Sequence, residues 1–345
     1  MQKIVIERPG GCRQLKITRG SIPEPKDNEV LIEVSAVGVN FADIFIRLGL
    51  YSSAKEFVGW PITPGFEISG HTLRCGSRVQ DLAAGRPVVG VTRFGGYASH
   101  ICIPRKQVYP IQPNSKFSLE QWAGFPTVFL TAYHGLFQNI VLRPGMVILV
   151  HSAAGGVGSA LLQLGKIAGC RMIAVVGGPH KVGTAVACGA DVAINKTAQN
   201  LWGEVKIACP QGCDVVFDAN GPATLKQSYK HLAPTGKLVI YGFHTMLSNK
   251  GRLAKLAKLI AGYLRIPRFN PLNMTRDNKS IITFNLSYLF HRQDLLKEAM
   301  QDLIGWVEAG KIKAPPLRAF PFVEVAEAHR TLESGQTVGK LILTL

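Results

Sequence analysis

The first third of the chain is punctuated rather than helically periodic. Short apolar runs such as Val30-Leu-Ile-Glu-Val34 and Pro87-Val-Val-Gly-Val91 are broken by glycine and proline. Such runs predict strands, and the first 115 residues read as all-β. The period changes at Ser118-Leu-Glu-Gln-Trp-Ala-Gly124, where Ser118 and Gln121 have the spacing of a capping box and predict a helix start. Strands and helices then alternate. Strands are expected over Met146–His151, Met172–Val176, Asp214–Asp218 and Lys237–Tyr241, and a helix over Gly158–Ala168. This alternation predicts a doubly wound parallel sheet. A helix over Leu295–Glu308 and a strand over Lys340–Leu345 close the chain, and no internal repeat is visible.

Composition narrows the class. The 345 residues suggest two domains, at about 150 residues each. Apolar residues make up 47% and charged residues 18%, which excludes a disordered tail, a collagen-like fibre and a coiled coil. The seven cysteines are odd in number and scattered, which argues against a disulfide scaffold and for a reducing compartment. No signal-peptide pattern and no long apolar run are present, so a cytoplasmic location is expected. The net charge of +17 is the unusual property. Seven of those units fall within residues 250–279, which hold eight basic residues and one acid. Within that stretch, Leu253 to Leu264 has the pattern of a basic amphipathic helix.

The strongest motif is Val147-Ile-Leu-Val-His-Ser-Ala-Ala-Gly-Gly-Val-Gly158. Ala153, Gly155 and Gly158 match the spacing G-x-G-x-x-G, with alanine at the first position. Small residues there permit a tight turn, close approach of a pyrophosphate and close helix–strand packing. Ala154, Gly155, Gly156, Val157 and Gly158 are therefore candidate phosphate-binding residues at a helix N-terminus. The end of the next strand, Ala174-Val-Val-Gly-Gly-Pro-His-Lys181, lacks the acid that binds an NAD ribose. His180 and Lys181, beside Gly177, stand where a 2′-phosphate would sit, which favours NADPH. Lys181 could otherwise simply begin a solvated helix.

Taken together, the chain resembles the medium-chain dehydrogenase/reductase superfamily, of the quinone oxidoreductase type. The resemblance rests on Gly38-Val-Asn-Phe-Ala-Asp43, Arg47-Leu-Gly-Leu-Tyr51, Pro64-Gly-Phe-Glu67, Gly95-Gly-Tyr97, the glycine loop, Asp214-Val-Val-Phe-Asp218, Gly236 to Gly242 and Val338-Gly-Lys340. Asn40-Phe-Ala-Asp43, Phe284-Asn-Leu-Ser-Tyr-Leu289 and the basic insert are similar to the branch of the vesicle amine transport protein homologues and their bacterial relatives. The resemblance implies a GroES-like β-rich catalytic domain from residues 1–120 and 275–345, with a Rossmann NADP-binding domain at 121–274 that includes the insert. It implies a site in the cleft between domains and a homodimer.

Zinc-dependent relatives have cysteine and histidine where this chain has Val39 and Phe66, so no metal site is expected. The pair Cys209 and Cys213 has no second pair to complete a metal site. Without a Lewis acid the substrate must already be electrophilic, as a quinone or α,β-unsaturated carbonyl is. The resemblance places Tyr51 as proton donor and Asn40 as a group orienting substrate or the nicotinamide ribose. Tyr51 could instead be a wall of the pocket, and Asn40 a turn residue. The resemblance adds Thr131, Gly242, Phe243, Phe284 and Leu286 near the nicotinamide. It puts Asn220 at the adenosine or diphosphate side, Lys196 beside Lys181, and Lys340 as a cofactor contact from the other domain.

Two rival readings follow from the charge. The insert at 250–279 could lie on an anionic membrane, making the chain a nucleotide- or lipid-binding protein with little catalytic activity. A lid or dimer-edge role for the insert competes with that. Specific nucleic-acid binding is not expected, because no helix-turn-helix, zinc-finger or RNP-type pattern is present.

Overall fold

The computed structural model describes residues 1–246 and 252–345, with side chains for all of these except 252–256. Two compact units result. Unit 1 holds Met1–Leu130 and Leu286–Leu345, and unit 2 holds Thr131–Asn285.

Unit 2 is built on a six-stranded sheet. Its strands are Val147–His151, Arg171–Val176, Val192–Asn195, Cys213–Asp218, Leu232–Ile240 and Ser280–Thr283. Every pairing is parallel. Numbered along the chain, the strands lie in the order 3-2-1-4-5-6, so the direction of winding reverses between the first and fourth. Strands buried on both faces need continuous apolar runs, and Ile148, Leu149, Val150, Ile173, Ala174 and Val175 supply them. The expected parallel sheet and glycine-loop helix are present, the helix running from Gly156 to Ile167.

Unit 1 is antiparallel apart from one pair. Its seven-stranded sheet includes Glu29–Val39, Glu67–Cys75 and Lys340–Thr344, and Leu317–Pro321 pairs with the last of these in parallel. The C-terminal strand thus lies beside an N-terminal one, with Leu341 opposite Val39. A core that includes Ile4, Ile32, Val37, Ile68, Tyr97, Phe320 and Leu343 fills this unit.

One expectation is corrected, and the unit boundaries differ from those expected. The first 115 residues are not all-β, because helices run over Phe41–Arg47 and Ser52–Phe57. The first is short, and its start signal is Asn40 with Asp43 three residues on, a reciprocal cap. The unit boundaries fall later than 120/121 and 274/275. The Leu119–Ala123 helix, with its expected Ser118–Gln121 cap, packs Ala123 against Ala36 and Ile342 of unit 1. Ser280–Thr283 pairs with Leu232–Ile240, which draws residues up to 285 into unit 2. In the basic insert the backbone is helical over Arg252–Leu264. Lys250 lies outside the described residues, as do the side chains of Arg252, Leu253, Lys255 and Leu256.

Candidate functional site

The expected nucleotide residues of unit 2, Thr131 apart, follow the carboxyl ends of its strands. The glycine loop follows the first strand, Gly177 and Lys181 the second, and Lys196 the third. Asn220 follows the fourth, Gly242 and Phe243 the fifth, and Phe284 the sixth. One rim of a parallel sheet therefore carries them, at the side where such sheets bind ligands. Thr131 is half-buried on the helix Pro126–Tyr133.

The loop shows why its residues are small. Ser152 takes a positive φ of 54°, which turns the chain out of the strand. Gly155 caps the helix, and Gly156, Val157 and Gly158 form its first turn. Their N–H groups have no intrahelical acceptor and give that end a partial positive charge. A Cβ on Gly158 would overlap the Ser152 carbonyl and come within 2.6 Å of Ala153 Cα. Among the described residues, a Cβ on Gly155 would meet only the Ser152 carbonyl oxygen, at 3.3 Å. Gly158 thus serves helix–strand packing, and the space at Gly155 is open to a ligand.

Asn220 faces this loop. Ser152 Oγ donates to its Oδ1 at 3.1 Å, while its Nδ2 is buried with no partner among the described residues. The backbone around it is held by Asp218, whose fully buried carboxylate accepts from Asn220 N (2.8 Å), Gly221 N (3.2 Å), Thr224 Oγ1 (2.6 Å) and Ser228 Oγ (2.8 Å). His151 Nε2 meets Ser228 Oγ at 3.0 Å, and burial holds its pKa down. Next to Asn220, Thr245 N donates to the Asn220 carbonyl at 3.2 Å, which ties the segment after Phe243 to it. Phe243 is exposed, and Phe284 packs edge-on against His134 at 4.7 Å.

At the second strand end, Lys181 is buried while Lys196 is exposed. Burial, and then the charge of Lys196, lower the Lys181 pKa. A Cβ on Gly177 would lie 3.6 Å from Lys196 Cε, so Lys196 lies against the glycine turn, near enough to Lys181 for its charge to be felt there. A doubly charged phosphate would relieve their repulsion. An unpartnered amide, a helix N-terminus with room above it and paired lysines fit a phosphorylated dinucleotide.

In unit 1 the structure gathers residues that the sequence analysis treated separately. Asn40 Nδ2 donates to Glu67 Oε1 at 2.8 Å, and Lys340 Nζ lies 2.7 Å from the same oxygen. In the sequence Glu67 and Asp43 stand out only as members of motifs. Asp43 accepts from Asn40 N (2.8 Å), Gly65 N (3.0 Å) and Tyr97 OH (3.1 Å). Burial pushes its carboxyl up to about 7, against the Asn40 and Gly65 amides, Lys340 and Tyr97. The available signal was the Asn40–Asp43 cap spacing. Tyr51 is half-buried, its ring edge-on to Phe66 at 5.9 Å, and it caps the helix Ser52–Phe57. Leu286 opens the turn Leu286–Leu289, which Ser287 Oγ ties to Ser53 Oγ at 2.8 Å.

No group of three metal-binding side chains occurs among the described residues. Val39 and Phe66 are buried and offer no donor atom. Cys209 and Cys213 have their sulfurs 2.9 Å apart, hydrogen-bonded to each other.

A parallel sheet in this order with a glycine-loop helix, together with a β-rich unit drawn from both chain regions, is the two-unit architecture of the dehydrogenase/reductase class. Comparison with known proteins agrees. Residues 26–113 match the alcohol dehydrogenase GroES-like domain, and residues 188–343 match a family described as zinc-binding dehydrogenase. A mouse relative, synaptic vesicle membrane protein VAT-1 homolog-like, is 31% identical over 99% of this chain and 81% of its own length. Among solved structures, Escherichia coli quinone oxidoreductase complexed with NADPH superposes with a TM-score of 0.86 at 26% identity, covering 100% of both chains. The CurK enoyl reductase superposes with a TM-score of 0.85 at 27% identity, covering 99% of this chain and 98% of its own. The chain belongs to the medium-chain dehydrogenase/reductase superfamily, in the family of the VAT-1 homologues. Its structural neighbours support a nicotinamide nucleotide as cofactor. No helix among the described residues is long and apolar enough to cross a membrane.

Proposed function

We propose that the protein is a zinc-independent, NADPH-dependent reductase, cytoplasmic and homodimeric, that acts on a quinone or an α,β-unsaturated carbonyl. The observation that carries this reading is the Lys181–Lys196 pair on a nucleotide rim whose second strand ends without an acid. NADPH would supply hydride to the substrate. The first-turn N–H groups of Gly156, Val157 and Gly158 would hold its diphosphate, with Asn220 Nδ2 beside them. Lys181 and Lys196 would hold the 2′-phosphate. Thr131, Gly242, Phe243, Phe284 and Leu286 would shape the nicotinamide end. Asn40 would orient the substrate oxygen, and Tyr51 would give a proton to the enolate or quinolate that forms. A phenol suits that task, because its usual pKa is about 10. Val39 and Phe66 leave no ligand for zinc at the positions zinc-dependent relatives use, so the substrate must bring its own conjugation. NADPH oxidation with a panel of quinones, alkenals and enoyl thioesters, run beside NADH, tests the reading. Turnover with NADPH well above NADH is expected. Equal rates would remove the 2′-phosphate role, and no turnover despite NADPH binding would defeat the reductase.

A set of exposed residues favours a second reading. Ile260, Tyr263, Leu264 and Leu272 are exposed beside Arg265 and Arg268. That mixture suits an anionic bilayer surface. Flotation with vesicles of phosphatidylcholine, with and without phosphatidylserine, decides it, and equal recovery would refute membrane contact.

A further inference from the structure

Glu67, Lys340 and Asn40 come together because they stand at the ends of three neighbouring strands. Asn40 follows Glu29–Val39, Glu67 opens Glu67–Cys75, and Lys340 opens Lys340–Thr344. The first strand pairs with both of the others, Val37 opposite Ile68 and Val39 opposite Leu341. The three side chains close a triangle. Asn40 Nδ2 donates to Glu67 Oε1 (2.8 Å), Lys340 Nζ ion-pairs with that oxygen (2.7 Å), and Lys340 Nζ donates to Asn40 Oδ1 (2.5 Å). The other Glu67 oxygen accepts from Thr127 N at 2.7 Å. All three side chains are buried. Glycines make the room: a Cβ on Gly38 would overlap Glu67 Oε1, and one on Gly124 would lie 2.8 Å from Lys340 Cγ.

A primary amide in water turns its oxygen and nitrogen ends freely. Here a carboxylate can face only the NH2 end, and an ammonium only the oxygen end. The flipped amide would set N–H groups against the ammonium and a carbonyl against the carboxylate. Asp43 Oδ2 holds the Asn40 backbone N–H as well.

We infer that Glu67 and Lys340 are positioning residues that lock the Asn40 amide, leaving its second Nδ2 hydrogen as an aimed donor for a substrate oxygen. Lys340 then serves Asn40 within unit 1 and is not a nucleotide contact. The inference deepens the reductase reading and rests on it for the reaction that Asn40 assists.

The experiment uses the full chain in three forms: wild type, Lys340→Met and the double variant Glu67→Gln/Lys340→Met. The double variant removes both charges and so avoids stranding one in the core. Asn40 is observed by selective ¹⁵N-asparagine labelling, its side-chain signal assigned with Asn40→Ala. Wild type should show a protected, slowly exchanging Asn40 side-chain hydrogen. The double variant should lose that protection about tenfold or more, while NADPH Kd stays within about twofold and kcat with the best acceptor falls about tenfold. Unchanged protection, or lost protection with unchanged kcat, would overturn the inference. A tenfold weaker NADPH Kd in Lys340→Met would also overturn it, by placing Lys340 at the nucleotide. If wild type reduces no acceptor, the reductase reading fails by itself, and the exchange and Kd measurements still decide whether the ion pair positions Asn40.

Discussion

Gly155 and Gly158 lie in one loop but should respond oppositely to the same added methyl group. In Gly158→Ala the new carbon overlaps the Ser152 carbonyl and sits 2.6 and 2.8 Å from backbone atoms of Ala153, so strand and helix must separate. Overpacking of that kind costs about 1–3 kcal/mol. Alanine recovers up to about 1 kcal/mol of helix propensity, less near an N-terminus. A net loss of about 1–2 kcal/mol is expected, which lowers Tm by about 2–8 °C for a unit of this size. In Gly155→Ala the backbone is already at φ −84° and ψ 177°, which alanine accepts, and the only close atom among the described residues is 3.3 Å away. Stability should change by less than about 0.5 kcal/mol. The methyl instead occupies the approach to the helix N-terminus. Losing one charge-assisted hydrogen bond to a phosphate, about 1.5–3 kcal/mol, weakens NADPH by about tenfold or more. Thermal unfolding without nucleotide and a fluorescence titration with NADPH read the two effects apart. Equal Tm losses in both variants would refute the division of labour, as would an unchanged NADPH Kd in Gly155→Ala.

Other sites give sharp expectations. Lys181→Ala should weaken NADPH about tenfold or more and leave NADH unchanged in a binding titration, whereas equal loss of both would place Lys181 away from the 2′-phosphate. Tyr51→Phe keeps the ring contact with Phe66, while kcat should fall about a hundredfold. Unchanged turnover would make water the proton donor. Asp43 has a carboxyl raised to about 7, so its protonated form is the one favoured by folding. Its contribution is fully present below about pH 4 and fades as pH rises through 7. The Tm difference between wild type and Asp43→Asn should therefore shift against wild type between pH 5 and pH 8. Burial lowers the pKa of His329 and of His244, which gives the opposite slope, so only the difference between the two proteins isolates Asp43. A difference independent of pH would show that Asp43 titrates outside that window.

What could be read from the chain alone followed from how far apart the cooperating residues lie. The glycine loop was legible because strand, turn and helix signals are contiguous from Val147 to Ile167. The parallel sheet was legible because two-sided burial writes unbroken apolar runs such as Ile148-Leu-Val150. The helix Phe41–Arg47 was missed because strand-type residues precede it and its seven residues span too few turns to show a period. The missing cue was local, an asparagine and an aspartate at cap spacing. The Asn40–Glu67–Lys340 triangle leaves no such local trace, since its members are 27 and 300 positions from Asn40. Only strand register brings them together, and Gly38 and Gly124 keep space for them. Resemblance supplied Asn40 and Lys340 as separate cofactor-side residues. Distance and burial join them into one charged clamp with Glu67, which in the sequence stands only as the last residue of the motif Pro64-Gly-Phe-Glu67.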